Sequence, residues 1–200
     1  MRIPGLDGLR ALAIALVLAQ HLQMGGWITH FQSNLGRLGV ALFFALSGYL
    51  ITGILLDNQA GLLRFYWRRS LRIFPAFYTY WLTILGMVGL GVHQVSPLAM
   101  LVAATYWINW YEGARSWMLQ HLWSLAVEEQ FYLTWPWILS LLGARGGQWL
   151  IGCVVVGWPL QRWLRTGSWG HPNLQEALYS ITYDAILWGC LLALWKRSDS

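Results

Sequence analysis

Three groups of residues in this chain have types and spacings that could do chemistry. Arg10 and His21 stand eleven residues apart within LDGLRALAIALVLAQHL. On an α-helix that separation turns through about 1100°, so both side chains share a face with a rise of about 16 Å between them. An ionisable residue part-way along a membrane-length helix marks a polar path or a functional group. Imidazole is also the side chain whose ordinary pKa suits proton transfer near neutrality. The same pair reads equally as a satisfied polar contact between packed helices. The second group is Arg68, Arg69 and Arg72 in RFYWRRSLR. If that segment is helical, Arg68–Arg72 is an i,i+4 pair and Arg69–Arg72 an i,i+3 pair, with converging guanidinium groups. Their forks match phosphate oxygens bidentately, and the alternative is a topology anchor touching anionic lipid. The third group is HLWSLAVEEQFY, where Ser124, Glu128 and Tyr132 make one helical stripe and Glu129 lies beside it. An acid here could orient Arg10 or His21 and raise imidazole basicity, with Glu128 the expected inward acid. It could also simply complement a helix start.

The elements that must position these groups are membrane helices. Hydrophobic residues make up 57% of the chain and charged residues only 10%, too few to cover a soluble surface of this size. The 15 Trp and 9 Tyr suit the two membrane–water interfaces. The net charge of +5 comes from bases that flank apolar spans without forming a soluble basic face, which excludes nucleic acid as the expected partner. Cys153 and Cys190 lie within apolar segments and read as packing residues, with no metal-ligand spacing. The apolar run after Asp7 and Arg10 is too long for a cleavable signal and reads as a retained first span.

The expected architecture is all-α, a polytopic bundle of about six or seven membrane segments forming one domain over residues 1–200. The first segment is Gly8–Ile28 and the second Leu38–Leu56, uncharged over a bilayer-spanning length. A basic connector, DNQAGLLRFYWRRSLR, leads to a third span, Ile73–Val92, with Pro75 in its first turn. Ser96–Trp110 is apolar but short. HLWSLAVEEQFYLTWPWILSLL then forms a helix with a kink expected near Pro136. Trp149–Leu164 and Ala177–Trp195 follow, separated by a loop around GSWGHPN, and Asp184 is a further intramembrane acid. Arg64, Arg68, Arg69 and Arg72 place the connector in the cytoplasm. The later bases give a tie. Arg145, Lys196 and Arg197 fall inside if Ser96–Trp110 does not cross, and Arg115, Arg162 and Arg165 fall inside if it does. Length favours the first arrangement, because fifteen residues rise only about 22 Å against a core of about 30 Å.

LDGLRALAI with His21, GRLGVALFFALSGYLIT, RRSLRIFPAFY and HLWSLAVEEQFYLTWP together resemble the ordered motifs of the membrane-bound acyltransferase 3 family. Its members resemble O-antigen acetylases and peptidoglycan O-acetyltransferases. The resemblance covers roughly Ile3–Pro136 and implies an enzyme moving an acyl group, often acetyl, from cytoplasmic acyl-CoA to a hydroxyl at the outer side of a bacterial plasma membrane. It maps the family's first-span Arg and His to Arg10 and His21, its basic motif to Arg69 and Arg72, and its acidic motif to Glu128 and Glu129. Family members usually have about ten spans, so this chain reads as a short version of that fold.

The implied mechanism uses no cofactor or metal beyond acyl-CoA as co-substrate. Arg69 and Arg72, with Arg68, would hold the CoA phosphates. The pantetheine arm would thread inward beside Arg10, and His21 would serve as general base or transient acyl carrier. Small residues at Ser47 and Gly48 would leave room for that arm or let helices approach closely. The acceptor is expected to be a carbohydrate or lipid-linked sugar, with membrane lipids as surroundings. Two rivals are a small flippase of a lipid-linked sugar using Arg10, His21 and Asp184 as a relay, and an inactive truncated member of the family. A flippase predicts repeated halves, and the sequence shows no such symmetry.

Overall fold

The computed structural model describes residues 4–24, 35–57, 61–111, 116–166 and 174–198. Its elements are α1 (Pro4–Met24), α2 (Leu35–Leu56), α3 (Leu62–Gly89), α4 (Pro97–Ala104), a single 3₁₀ turn (Ile108–Trp110), α5 (Trp117–Gln120), α6 (Leu122–Thr166) and α7 (Leu174–Ser198). The chain is all-helical, as composition and periodicity require. Among the described residues, four stretches are long and apolar enough to cross a membrane: Gly5–Leu22, Leu35–Leu56, Leu62–Gly89 and Trp117–Gly157. The end of the expected first span at Ile28, the GSWGHPN loop and Arg115 lie outside the described residues.

The basic connector is helical through most of its length, as the pairing of its arginines requires, because α3 begins at Leu62 and carries all four of them. Two local expectations are corrected. Pro75 therefore sits in the interior of a 28-residue helix and not in a first turn. The Leu71 carbonyl loses its usual donor there, while Thr79 Oγ1 donates to the Pro75 carbonyl at 2.7 Å. The break in α6 falls at Gly143 (φ 67°) and not at Pro136. Only glycine takes that left-handed conformation at little cost, so Gly143 ends one helix and starts the next.

The chain forms two compact units, Met1–Asp57 with Ile138–Ser200, and Asn58–Trp137. In the first, α2 is packed by glycines against backbone. A Cβ on Gly48 would land on the Ile186 carbonyl oxygen of α7, and one on Gly189 would land on the Ala45 carbonyl oxygen of α2. On another face, Gly39 leaves room for the Ala13 carbonyl of α1, and the Gly36 amide donates to Gln20 Oε1 at 2.6 Å. Such close approach is how membrane helices gain van der Waals contact where lipid offers no hydrophobic drive. Gly48 thus serves helix approach, the second of the two roles its small size allowed. Thr52, fully buried, hydrogen-bonds Cys190 across the same seam.

An ion pair joins Arg197 at the end of α7 to Asp57 at the end of α2, and Lys196 Nζ reaches Tyr49 Oη at 3.3 Å. These contacts bring the C-terminal ends of α2 and α7 together within the first unit. The eight residues of α4 rise only about 12 Å.

The second unit has its own core, in which Phe77 and Ile84 of α3 meet Ala99, Met100 and Ala103 of α4, Ile108, Leu119, and Leu122 and Ala126 of α6. Ser96 caps α4 by accepting from the Ala99 amide at 3.0 Å, with Pro97 in the first turn. At its other end the Ala104 carbonyl, without a helical donor, accepts from Tyr78 Oη at 3.2 Å. Trp81 Nε1 donates to Met100 O and Tyr80 Oη to Met118 O. Aromatic side chains of α3 thus hold down a stretch that is too short to span.

Candidate functional site

The second unit gathers polar side chains around the start of α3 and the first half of α6. Arg64, Arg68 and Arg72 recur every four residues and are all exposed, so they form one basic face of α3. Arg69 lies about 100° around the helix. Its guanidinium carbon sits 3.6 Å from the centroid of the Tyr132 ring of α6, a ring that is only 2% exposed. A desolvated guanidinium over a phenol is worth about 2 kcal/mol. Tyr66, one turn before Arg69, donates to the Leu133 carbonyl at 2.9 Å and ties the same faces of α3 and α6 together.

Glu129 lies three residues before Tyr132, on the same side of α6. Its Oε1 is buried without a hydrogen-bond partner, as is Nε of Arg69. The charges that act on Glu129 are those of Arg69 and Glu128. The Ser124–Glu128–Tyr132 stripe singles out Glu128 as the inward acid, and in the structure Glu129 also has a buried Oε1 and lies in the field of Arg69. The reason is geometric: i,i+3 neighbours share a helix face as well as i,i+4 neighbours do. Both acids are half-buried. Ser124 Oγ donates to the His121 carbonyl at 3.2 Å, a local bond at the helix start.

Beside these residues the chain makes a turn that sequence reading does not find. Tyr106 has φ 58°, a left-handed backbone uncommon for a bulky residue. The turn is clasped to α6 by Gln130, whose Nε2 donates to the Tyr106 carbonyl at 2.7 Å and to Asn109 Oδ1 at 2.9 Å, while Asn109 Nδ2 donates back to Gln130 Oε1. The Tyr106 ring stacks on Phe77, with centroids 4.3 Å apart. Its buried hydroxyl has no hydrogen-bond partner, and burial first, then the Glu129 and Tyr78 charges, hold its pKa far above the phenolic range. Neither Tyr106 nor Gln130 carries a sequence signal. A Gly or Asn would have announced the left-handed turn, and a Tyr does not.

The remaining expected residues belong to the first unit. Arg10 is half-buried and its Nη1 pairs with Asp7 Oδ1 at 3.3 Å, one turn earlier on α1. His21 is exposed on the same helix. Ser47 is half-buried beside Gly48, and Asp184 is half-buried on α7. Arg68, Arg69, Arg72, Glu128 and Glu129 thus come together within one unit, and Arg10, His21 and Ser47 within the other. Among the described residues there is no cluster of His, Cys, Asp and Glu able to hold a metal.

Comparison with known proteins places these residues in a lineage. An OatA O-acetyltransferase of Staphylococcus aureus (strain NCTC 8325) is 33% identical over 157 residues, which is 70% of this chain and 25% of that protein. A Bacillus subtilis protein, YrhL, named by inference only as a peptidoglycan O-acetyltransferase, is 38% identical over 156 residues, 68% of this chain and 24% of its own. A Staphylococcus aureus (strain COL) protein, also named by inference as an O-acetyltransferase, is 39% identical over 162 residues. The chain spans about a quarter of the length of these relatives. No solved structure matches it. The family model described as the acyltransferase domain matches residues 3–157, more than three quarters of the chain and parts of both units, so the chain belongs to the acyltransferase 3 family.

Proposed function

We propose that this chain is the donor-handling part of a membrane O-acyltransferase, moving an acetyl group from cytoplasmic acyl-CoA to a hydroxyl of a cell-surface carbohydrate. The observation that carries the reading is the exposed Arg64–Arg68–Arg72 face on the first turns of α3, backed by an internal polar site at Arg69 and Glu129, in a chain of this family. Guanidinium forks on one face suit a phosphorylated donor better than a single point charge does. The bases of the connector favour the cytoplasmic side for that face, where acyl-CoA is. The relative named by inference as a peptidoglycan O-acetyltransferase favours a glycan acceptor outside a bacterial plasma membrane.

In the reaction, the acceptor hydroxyl attacks the thioester carbonyl, a C–O bond forms, and the C–S bond breaks. His21 takes the hydroxyl proton and returns it to the departing thiolate, so that CoA leaves as a thiol. Arg10, on the same face of α1 but about 16 Å from His21, would line the path by which the donor arm approaches it. Ser47, beside the α2–α7 seam, would line the way for the donor arm. The test is to incubate membranes carrying the protein with acetyl-CoA labelled in the acetyl group. Label should enter surface glycans and be released by mild base as acetate. Label that stays in acetyl-CoA, or glycan labelling that is unchanged when the protein is absent, overturns the reading.

A further inference from the structure

Among the described residues, the buried side-chain polar atoms that lack any hydrogen-bond partner are Arg69 Nε, Tyr106 Oη and Glu129 Oε1. They come from three separate segments of one unit, α3, the turn after α4, and α6. They are also electrostatic neighbours: the Arg69 charge acts on Glu129, and the Glu129 charge acts on Tyr106. Buried polar groups in folded proteins are nearly always paired, so three unpaired ones in each other's fields mark a place where a bound molecule supplies the partners.

Arg69 and Tyr106 are held in place by their neighbours. Arg69 is stacked on Tyr132. Tyr106 is fixed by its left-handed backbone, by the Gln130 amide on its carbonyl, and by Phe77 and Phe74 against its ring. Glu129 lies on the face of α6 that carries Tyr132, with its Oε1 buried. Rigid donors and acceptors of this kind are the mark of a prepared binding site.

Charge decides what binds. A phosphate drawn to Arg69 would also meet the Glu129 carboxylate, an unfavourable juxtaposition at low dielectric. A neutral group that both accepts and donates meets no such conflict. It can accept from Arg69 Nε–H and donate to Glu129 Oε1, with the Tyr106 hydroxyl serving either way. An amide is such a group, and the arm of coenzyme A carries amides between its phosphates and its sulfur. Resting on the acyl-thioester reading above, we infer that Arg69, Glu129 and Tyr106 form a subsite for the neutral amide-bearing arm of the donor. The phosphates are left to the exposed face of Arg64, Arg68 and Arg72. Arg69 is thereby separated in role from Arg72, with which it was grouped by sequence.

The test is equilibrium binding of labelled acetyl-CoA to the intact protein in membranes, with pantetheine and adenosine bisphosphate as competitors, in wild type and in Tyr106→Phe, Glu129→Gln and Arg72→Gln variants. Tyr106→Phe keeps the ring stack and Glu129→Gln keeps the shape, so both leave the fold in place. Each should raise the inhibition constant of pantetheine about tenfold, through the loss of one good hydrogen bond at Tyr106 and of the stronger, charge-assisted acceptor at Glu129. Each should leave that of adenosine bisphosphate within about twofold. Arg72→Gln should do the reverse. If Tyr106→Phe and Glu129→Gln shift both competitors alike, or neither, the subsite is overturned while the donor reading stands. If wild-type protein binds neither acetyl-CoA nor the competitors, the donor reading fails and takes the subsite with it.

Discussion

The two units of this chain hold their helices together by different means, and the difference bears on how each presents its functional residues. In the first, glycines bring backbone against backbone: Gly48 on Ile186, Gly189 on Ala45, Gly39 on Ala13. Its candidate residues stand on α1, where most described side chains are exposed: His21 is exposed and Arg10 half-buried. In the second unit, aromatic side chains donate to main-chain carbonyls and stack on each other, and its candidate residues Arg69 and Glu129 carry buried atoms. Small-residue packing leaves a helix surface free to carry a reactive group. Aromatic packing builds a fixed polar interior suited to recognition.

The largest effect expected from that contrast is on chemistry in the first unit. His21→Ala should lower acetyl transfer by about 10²–10⁴, the usual cost of losing a general base. Insertion and abundance should be unchanged, because His21 is exposed on α1. Transfer rates measured beside quantified protein in the same membranes decide it, and full activity in the variant sinks the assignment of His21.

Recognition in the second unit should respond next. Arg72→Gln should raise the donor KM about ten- to a hundredfold, with little change in kcat, as one charge-assisted phosphate contact is lost. Arg72→Lys should recover part of this, since Lys keeps the charge but not the fork. Arg69→Lys should recover less, because an ammonium cannot lie flat on the Tyr132 ring at 3.6 Å. Equal recovery at both positions would erase the distinction between an exposed and an internal arginine.

Much of this was legible in the sequence. Apolar length gave the helices, and the four motifs, with their Arg, His and Glu residues, gave the family. Spacing alone put Arg68 and Arg72 on one face, since α3 is indeed helical there. What stayed hidden has physical causes. The start of α3 was not legible, because four arginines argue against a lipid-buried helix, yet a helix can emerge into headgroups without ending. A kink is expected at Pro136, which α6 accommodates while fully buried, whereas the break falls at Gly143, whose φ 67° depends on its surroundings. The Tyr106 turn depends on a tertiary clasp from Gln130 that no local pattern encodes.

The seam of the first unit should show a smaller, purely structural effect. Gly48→Ala places a methyl on the Ile186 carbonyl and should destabilise by about 1–3 kcal/mol, as overpacking generally does. Gly53→Ala, five residues along α2 with open space at its Cβ, should be neutral or slightly stabilising. Thermal unfolding of the two variants in the same detergent makes the comparison. Equal melting temperatures would mean that the glycine seam does not hold α2 to α7.

The smallest expected effect lies at the start of α1. Arg10 pairs with Asp7 at 3.3 Å, and the two side chains are 40% and 61% exposed. Exposed i,i+3 pairs contribute about 0–1 kcal/mol, and an acid in a first helical turn gains a little more from the dipole. Asp7→Asn should therefore leave stability nearly unchanged. It should also leave acetyl transfer within about twofold, because Arg10 keeps its charge and its place on the His21 face. The informative measurement is kcat in Asp7→Asn beside kcat in Arg10→Gln and in the double variant. If Asp7→Asn alone falls as far as Arg10→Gln, and the double variant falls no further, then Asp7 orients Arg10 for the reaction. The pair would then act as one unit of the site, and the first unit would hold a fixed polar pair of its own, closing the contrast with the second.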